Sequence, residues 1–214
     1  MLVDGQRQDK AGAQVSEDAD IVVTGPDNPY VSRGGLKLKG AIDHFGVNVS
    51  GLVCSDIGAS TGGFTDCLLK EGAVKVYALD VGHGLIDAKL RQDVRVVLIE
   101  RMNARLMVPG LIGEKVDFAV VDVSFISLKL VLGNIAEMLK PGGRILALVK
   151  PQFEVGRGAV GRGGIVRDEG ERARALKEVG LFAGSIGLNV TGSVESSIKG
   201  AKGNVESFLY MNRP

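Results

Sequence analysis

From Leu52 onward the chain alternates short apolar runs with segments whose apolar residues recur at helical spacing. The runs at 52–57, 74–80, 95–99, 116–121 and 144–149 are rich in Val, Ile, Leu and Ala and are bounded by glycine, proline or charge. They read as buried strands. Between them the spacing predicts helices from about 62 to 70, near 84–91 and from about Ser127 to Leu139, with a Pro-Gly interruption at 109–110 and a PGG turn at 141–143. Lys150 closes the fifth run, Pro151 ends it, and PQFEVGRGAVGRGGIVR at 151–167 reads as a glycine- and arginine-rich loop. Asp168 is a suitable N-cap for a helix reaching about Gly187, and strands at 188–197 and 204–211 follow. Seven strands in this order predict an α/β fold, a doubly wound, mostly parallel sheet with helices on both faces.

Ahead of that alternation, VSRGGLKLKGAIDHFG sets Leu36, Ala41, Ile42 and Phe45 near one helical face and leaves Arg33, Lys37 and Lys39 polar, predicting a helix from near Ser32 to just before Gly46. Residues 1 to about 28 hold two short β-like pieces, Leu2-Val3 and Ile21 to Val23, split by a polar stretch that opens on an Asp-Gly turn signal, and GPDNPY follows as a linker. So few strand residues do not fold alone. Residues 1–28 are therefore expected to be the tail of a second domain rather than a frayed extension, with 29–214 forming the main domain.

Composition narrows the class. With 214 residues, 45% of them hydrophobic, the chain can bury one core of α/β size. A formal net charge of +1 leaves any nucleic-acid surface to local clusters of Lys and Arg. No apolar run reaches membrane-spanning length, and MLVDGQRQDK has polar residues where a signal peptide needs an apolar core, so a cytoplasmic location is expected. Cys54 and Cys67 fall in an expected strand and helix and read as buried structural thiols. His44 and His83 have no partner at metal-ligand spacing, so no metal is expected. His44 reads as a helix-end residue and His83 as part of the loop after Asp80.

The candidate chemistry sits at strand ends, where doubly wound sheets bind their ligands. LVCSDIGASTGGF, from Leu52 to Phe64, is an apolar strand ending in an acid and a glycine-rich turn. Gly58, Gly62 and Gly63 let a ligand approach the backbone, yet Ser60 stands where a dinucleotide fingerprint needs its second glycine. An acid at the strand end, Asp56, points toward a cationic ligand, and S-adenosylmethionine, with a sulfonium and an ammonium and no phosphate, fits. Asp80 follows Gly58 by about 20 positions, the offset of an acid that takes ribose hydroxyls. Asp122 and Lys150 end neighbouring strands and can meet above the sheet, either as a structural ion pair or as working groups.

SRGGLKL, DIGASTGGFTDCLL, ALDVGHGL, VDVSFISL, LVKPQFE and GNVESFLY together closely resemble the TlyA (hemolysin-like) family of FtsJ-type ribosomal RNA ribose 2′-O-methyltransferases, over residues 29–214. The resemblance implies a class I, Rossmann-like, S-adenosylmethionine-dependent methyltransferase fold with one antiparallel strand near the sheet edge. The family's Lys-Asp-Lys-Glu tetrad falls on Lys37, Asp122, Lys150 and Glu206. Lys150 is then the base or orienter of the 2′-hydroxyl, Asp122 its holder, and Lys37 and Glu206 position the ribose. The implied cofactor pocket comprises Asp56, Gly58, Ser60, Gly62 and Phe64, with Asp80 on the cofactor ribose and Asn103 and Asp122 flanking the adenine and the methyl-donor end. In that family an RNA-binding domain precedes the catalytic one, and residues 1–28 look like its C-terminal portion. Arg33, Lys37 and Lys39, with Arg157, Arg162 and Arg167, are expected to form a phosphate-neutralising collar, with Phe153 stacking on a base. The expected partner is ribosomal RNA or a ribosomal subunit, with no membrane. A hemolysin-like membrane-active protein and a catalytically silent RNA-binding or ribosome-assembly factor are the competing classes.

Overall fold

The computed structural model describes residues 1–8, 10, 12–22, 28–108 and 110–214, less the side chains of residues 157 and 201. Positive φ at Asp4 (49°) and Gly5 (75°) turns the start of the chain into a hairpin of Leu2–Val3 (β1) and Gln6–Arg7 (β2), and Ile21–Val22 (β3) pairs antiparallel with the other edge of β1. The Asp-Gly signal therefore marks a strand, β2, that polar composition hides. Val23 and residues 25–27 of the expected linker lie outside the described residues, as does Pro109.

The main sheet has seven strands, as the alternation predicts: Val53–Ile57 (β4), Lys75–Leu79 (β5), Val96–Ile99 (β6), Val116–Val121 (β7), Leu139–Val149 (β8), Asn189–Glu195 (β9) and Ser207–Asn212 (β10). Their order is β6-β5-β4-β7-β8-β10-β9, and β10 runs antiparallel to both of its neighbours. Right-handed βα crossovers build such a sheet outward from its centre. Residues alternate between two apolar layers: Leu146 and Leu148 of β8 face one, Ile145, Ala147 and Val149 the other. Against the first layer pack Arg33–Phe45 (α1), Gly63–Lys70 (α2) and Ala88–Gln92 (α3); against the second pack Leu132–Met138 (α4) and Glu169–Ser185 (α6). Helix α1 starts after Ser32 and stops at Gly46 in the left-handed region (φ 60°), and α6 is capped by Asp168, whose side chain accepts from the Glu171 N–H.

Three segments differ from the sequence reading. The helix expected from Ser127 is a 3-10 turn, Leu128–Leu130, followed by the shorter α4. Strand β8 begins at Leu139 rather than Arg144, carrying the PGG stretch through a register shift opposite Val116–Phe118. The expected 151–167 loop opens on a short helix, Pro151–Glu154 (α5), because proline at the first helical position is already set to the helical φ.

Phe208 of β10 is fully buried, and its ring lies 6.0 Å from that of Phe64 at the start of α2. It ties the antiparallel strand to the glycine turn. Phe208→Ala should cost about 3–5 kcal/mol, read as a shift in the urea unfolding midpoint at unchanged slope.

Candidate active site

The glycine turn after β4 is fixed from below and from both sides. The N–H groups of Gly58 and Ala59 donate to the Leu79 carbonyl at 2.8 and 3.1 Å. Gly58 has φ 90°, and a Cβ there would stand 2.5 Å from the Asp122 carbonyl oxygen, so both conformation and space exclude a side chain. Next, the Ser60 N–H donates to Asp80 Oδ2 (2.7 Å) while the Gly82 N–H donates to Oδ1 (2.6 Å), which fixes the Asp80 carboxylate at the end of β5. Gly62 opens α2 in the left-handed region; a Cβ there would collide with Leu90 of α3. It thus packs against a helix and does not line the cleft.

Asp56 takes a different place from the one its position suggests. It is fully buried beneath the turn, where Thr65 Oγ1 donates to its Oδ2 at 2.7 Å and its Oδ1 has no hydrogen-bond partner. Burial pushes its carboxyl up to about 7; the negative charges of Asp122 and Asp80 add to that, and the Thr65 bond opposes it. Asp56 supports the turn from inside and does not meet the cleft.

Two cavities open above the sheet. The larger, about 740 Å³, is lined by Gly58, Ser60, Asp80, Asn103, Asp122 and Phe153 among others. The smaller, about 370 Å³, is lined by Phe64 and by three cations, Arg33, Lys37 and Lys199, among others. Gly58, Ser60 and Asp122 line both, so the cavities meet at the end of β7. Two ion pairs flank that junction. Lys150 Nζ lies 2.6 Å from Asp122 Oδ1, a charge contact without hydrogen-bond alignment, and donates to Ser124 Oγ at 2.7 Å. Lys37 Nζ donates to Glu206 Oε2 at 2.6 Å, with Glu206 almost wholly buried against Gly200, where any Cβ would collide with its carboxylate. All four charged residues singled out in the sequence therefore stand in two pairs, with Asp122 and Lys37 on the cleft walls.

Of the expected collar, Arg33 reaches the smaller cavity, and Arg162 and Arg167 are exposed on the 155–167 segment. The Arg157 side chain lies outside the described residues. Lys39 faces away, pairing with Asp43 at 2.5 Å and Glu71 at 3.4 Å. Phe153 lines the larger cavity, its ring 5.2 Å from that of Phe125. His83 sits beside Glu100 at 3.5 Å, off both cavities, and His44 lies at the end of α1 with its ring against Phe45. Ser124, Phe125 and Lys199 are site residues that sequence reading missed. The signal for the first two was present in VDVSFISL, an exposed-type loop directly after an acid-ended strand. Among the described residues no group of three or more His, Cys, Asp or Glu side chains is placed to hold a metal ion.

A family model for FtsJ-like methyltransferase matches residues 30–213. The chain belongs to the FtsJ-like methyltransferase family. A relative from Mycobacterium tuberculosis, 16S/23S rRNA (cytidine-2′-O)-methyltransferase TlyA, is 46% identical over 210 residues, covering 98% of this chain and 78% of the relative. A solved structure bearing a provisional hemolysin name, from Streptococcus thermophilus, superposes with a TM-score of 0.88 at 44% identity, covering 98% of this chain and 76% of that one. Magnesium protoporphyrin IX methyltransferase (ChlM) from Synechocystis PCC 6803, solved with bound SAH, covers 90% of each chain at a TM-score of 0.58 and 15% identity, a likeness of fold alone.

The methyl donor that an FtsJ-like methyltransferase uses would be held in the larger cavity. Its volume suits a small organic ligand. Two carboxylates, Asp80 and Asp122, line it against one cation, Arg105, so its donor set favours a sulfonium and an ammonium over a phosphate. S-adenosylmethionine therefore fits the residues present.

Asp56 yields a pH-dependent prediction. Its folded-state pKa of about 7 stands above the roughly 3.9 of an unfolded aspartate, so its contribution to stability is complete below about pH 4 and is lost as pH rises through about 7. Asp56→Asn keeps an acceptor for Thr65 and removes the buried charge. The difference in thermal midpoint, variant minus wild type, should grow more positive from pH 4 to pH 8; a difference independent of pH would contradict the assignment.

Proposed function

We propose that this protein transfers a methyl group from S-adenosylmethionine to a ribose 2′-hydroxyl of ribosomal RNA. One observation carries the reading: the two cavities join at Asp122, and Lys150 stands 2.6 Å from its carboxylate, so donor seat, acceptor seat and a charged pair converge on one point. The name of the M. tuberculosis relative supports the acceptor, and ribosomal RNA as substrate implies work in the cytoplasm.

When bound, S-adenosylmethionine supplies a methyl group already activated on a sulfonium, so alignment matters more than base strength. Asp80, held by two backbone N–H groups, would take the cofactor's ribose hydroxyls, Asn103 would flank the adenine, and the backbone at Gly58 and Ser60 would admit the donor closely. Lys150, ion-paired with Asp122 and bonded to Ser124, would orient the 2′-oxygen through a remaining N–H, and the hydroxyl proton would pass to the Asp122 carboxylate, the member of the pair that can accept it. Lys37, held by the buried Glu206, faces the ribose from the smaller cavity. Arg33 and Lys199 neutralise flanking phosphates there, and Arg162, Arg167 and Phe153 add contacts to the RNA. Residues 1–28 act in this reading as the C-terminal part of an RNA-binding domain, with 29–214 as the catalytic unit. The small β2-β1-β3 sheet and a family match that starts at residue 30 support that division.

No helix among the described residues is long and apolar enough to cross a membrane. Purified protein should bind S-adenosylmethionine and label ribosomal RNA with radioactive methyl at a ribose oxygen, detected as an alkali-resistant dinucleotide. Lys150→Ala should retain cofactor binding and lose about 100-fold or more in transfer. Label on a base, or full transfer by Lys150→Ala, would overturn the reading.

A further inference from the structure

Two chain segments meet at the junction of the cavities, 122–128 after β7 and 150–154 after β8. Lys150 makes one link between them, to Asp122 and Ser124. Glu154 makes the other. Its Oε2 accepts from Ser127 Oγ at 2.6 Å and its Oε1 from the Leu128 N–H at 2.7 Å. Between the links the rings of Phe125 and Phe153 lie 5.2 Å apart, tilted by 48°. Glu154 lines neither cavity, and it sits in a mostly buried position where desolvation raises its carboxyl above the usual range, against the two hydrogen bonds and Lys129 that lower it; Glu178 is the other charge facing it.

Burying a carboxylate is costly unless its bonds compensate, so a charged clamp at this point calls for a cause. The segment it holds supplies one. Phe125 has φ 63°, a left-handed conformation that a bulky side chain adopts only when its surroundings impose it, and the residue is 91% exposed, so burial of its own side chain does not impose it. The constraint comes from the ends: Leu128, fully buried in the core, and the Glu154 bonds on one side, Asp122 at the strand end on the other. Ser127 reinforces the anchor by accepting from the Lys129 N–H at 3.2 Å while it donates to Glu154.

We infer that Glu154 is a positioning residue for methyl transfer, fixing the 122–128 segment onto the Lys150 chain so that Asp122 and Ser124 hold the Lys150 ammonium in one place at the junction of the two cavities. Without the clamp the segment relaxes from Phe125 outward, Ser124 moves from Lys150, and the ammonium gains freedom. A misplacement of about 1 Å in an aligning group costs up to 100-fold in rate.

The inference rests on the proposed methyl transfer, and the experiment separates the two. Wild-type protein is assayed first with ribosomal RNA; absence of transfer there fails the functional reading itself. Given wild-type transfer, Glu154→Ala is expected to lower kcat by about 10- to 100-fold while the KM for RNA stays within about threefold and the dissociation constant for S-adenosylmethionine, whose cavity the same segment lines, rises by a clearly smaller factor than kcat falls. Glu154→Gln should recover most of the rate. Its amide oxygen still accepts from Leu128, and its NH2 donates to a Ser127 hydroxyl turned to accept. If Glu154→Ala does not fold, Ser127→Ala, which removes one bond of the clamp, should show the same loss confined to kcat at smaller size. Wild-type kcat in Glu154→Ala, or a loss shared equally by kcat and cofactor binding, overturns the inference.

Discussion

The contact on which the site depends is between two stretches of backbone. Gly58 lies so close to the Asp122 carbonyl that no side chain fits between them, and the Asp122 N–H donates to the Ile57 carbonyl at 2.9 Å. That approach sets the glycine turn after β4 directly against the end of β7, which is why a single aspartate borders both cavities. The adjacency of the two cavities is thus built from main chain, the least adjustable part of the fold. The 2.5 Å spacing excludes alanine as firmly as it excludes a larger residue.

Around this contact the charges are arranged in pairs, and pairing is what lets them stand in a half-buried site. Lys37 with Glu206 and Lys150 with Asp122 each remove two ions from water, a penalty that good geometry offsets but seldom exceeds. Such pairs are weak candidates for stabilising the fold. Their value lies in orientation: a lysine held by a carboxylate presents its remaining donors in a fixed direction. Asp56 is the contrasting case, a carboxylate with one oxygen bonded to Thr65 and the other without a hydrogen-bond partner, and its carboxyl is pushed up toward neutrality as a result.

How far the sequence discloses this depends on whether a residue's direction is periodic. Strand and helix positions are legible: the five apolar runs and the two strands expected after them are the seven strands of the sheet, α1 runs between Ser32 and Gly46, and Asp168 caps its helix. Asp56 differs, because an acid at a strand end reads as facing the ligand while the structure buries it against Thr65. Two residues before it Cys54 enters the layer under α2, and the period of two carries Asp56 to the same side. Lys39 follows the equivalent rule on a helix, since two residues beyond Lys37 is the far face. Gly62 was legible as necessary but not as to what it approaches, which is Leu90. Ser124, Phe125 and Lys199 lie in aperiodic segments whose direction comes from partners distant in sequence.

Glu206 shows most clearly why the topology is needed for the chemistry. In a parallel sheet the ligand side is the carboxyl end of each strand, and residues at strand starts fall on the opposite edge. Glu206 stands at a strand start and nevertheless reaches the site, because β10 runs antiparallel. Ser207 pairs with Val149, immediately before Lys150, so the residue preceding β10 emerges beside the carboxyl ends of its neighbours. Inserting β10 between β8 and β9 thus turns a strand start toward the cleft and gives Lys37 of α1 a buried partner there. A seventh strand added in parallel would leave that lysine without the carboxylate that fixes it.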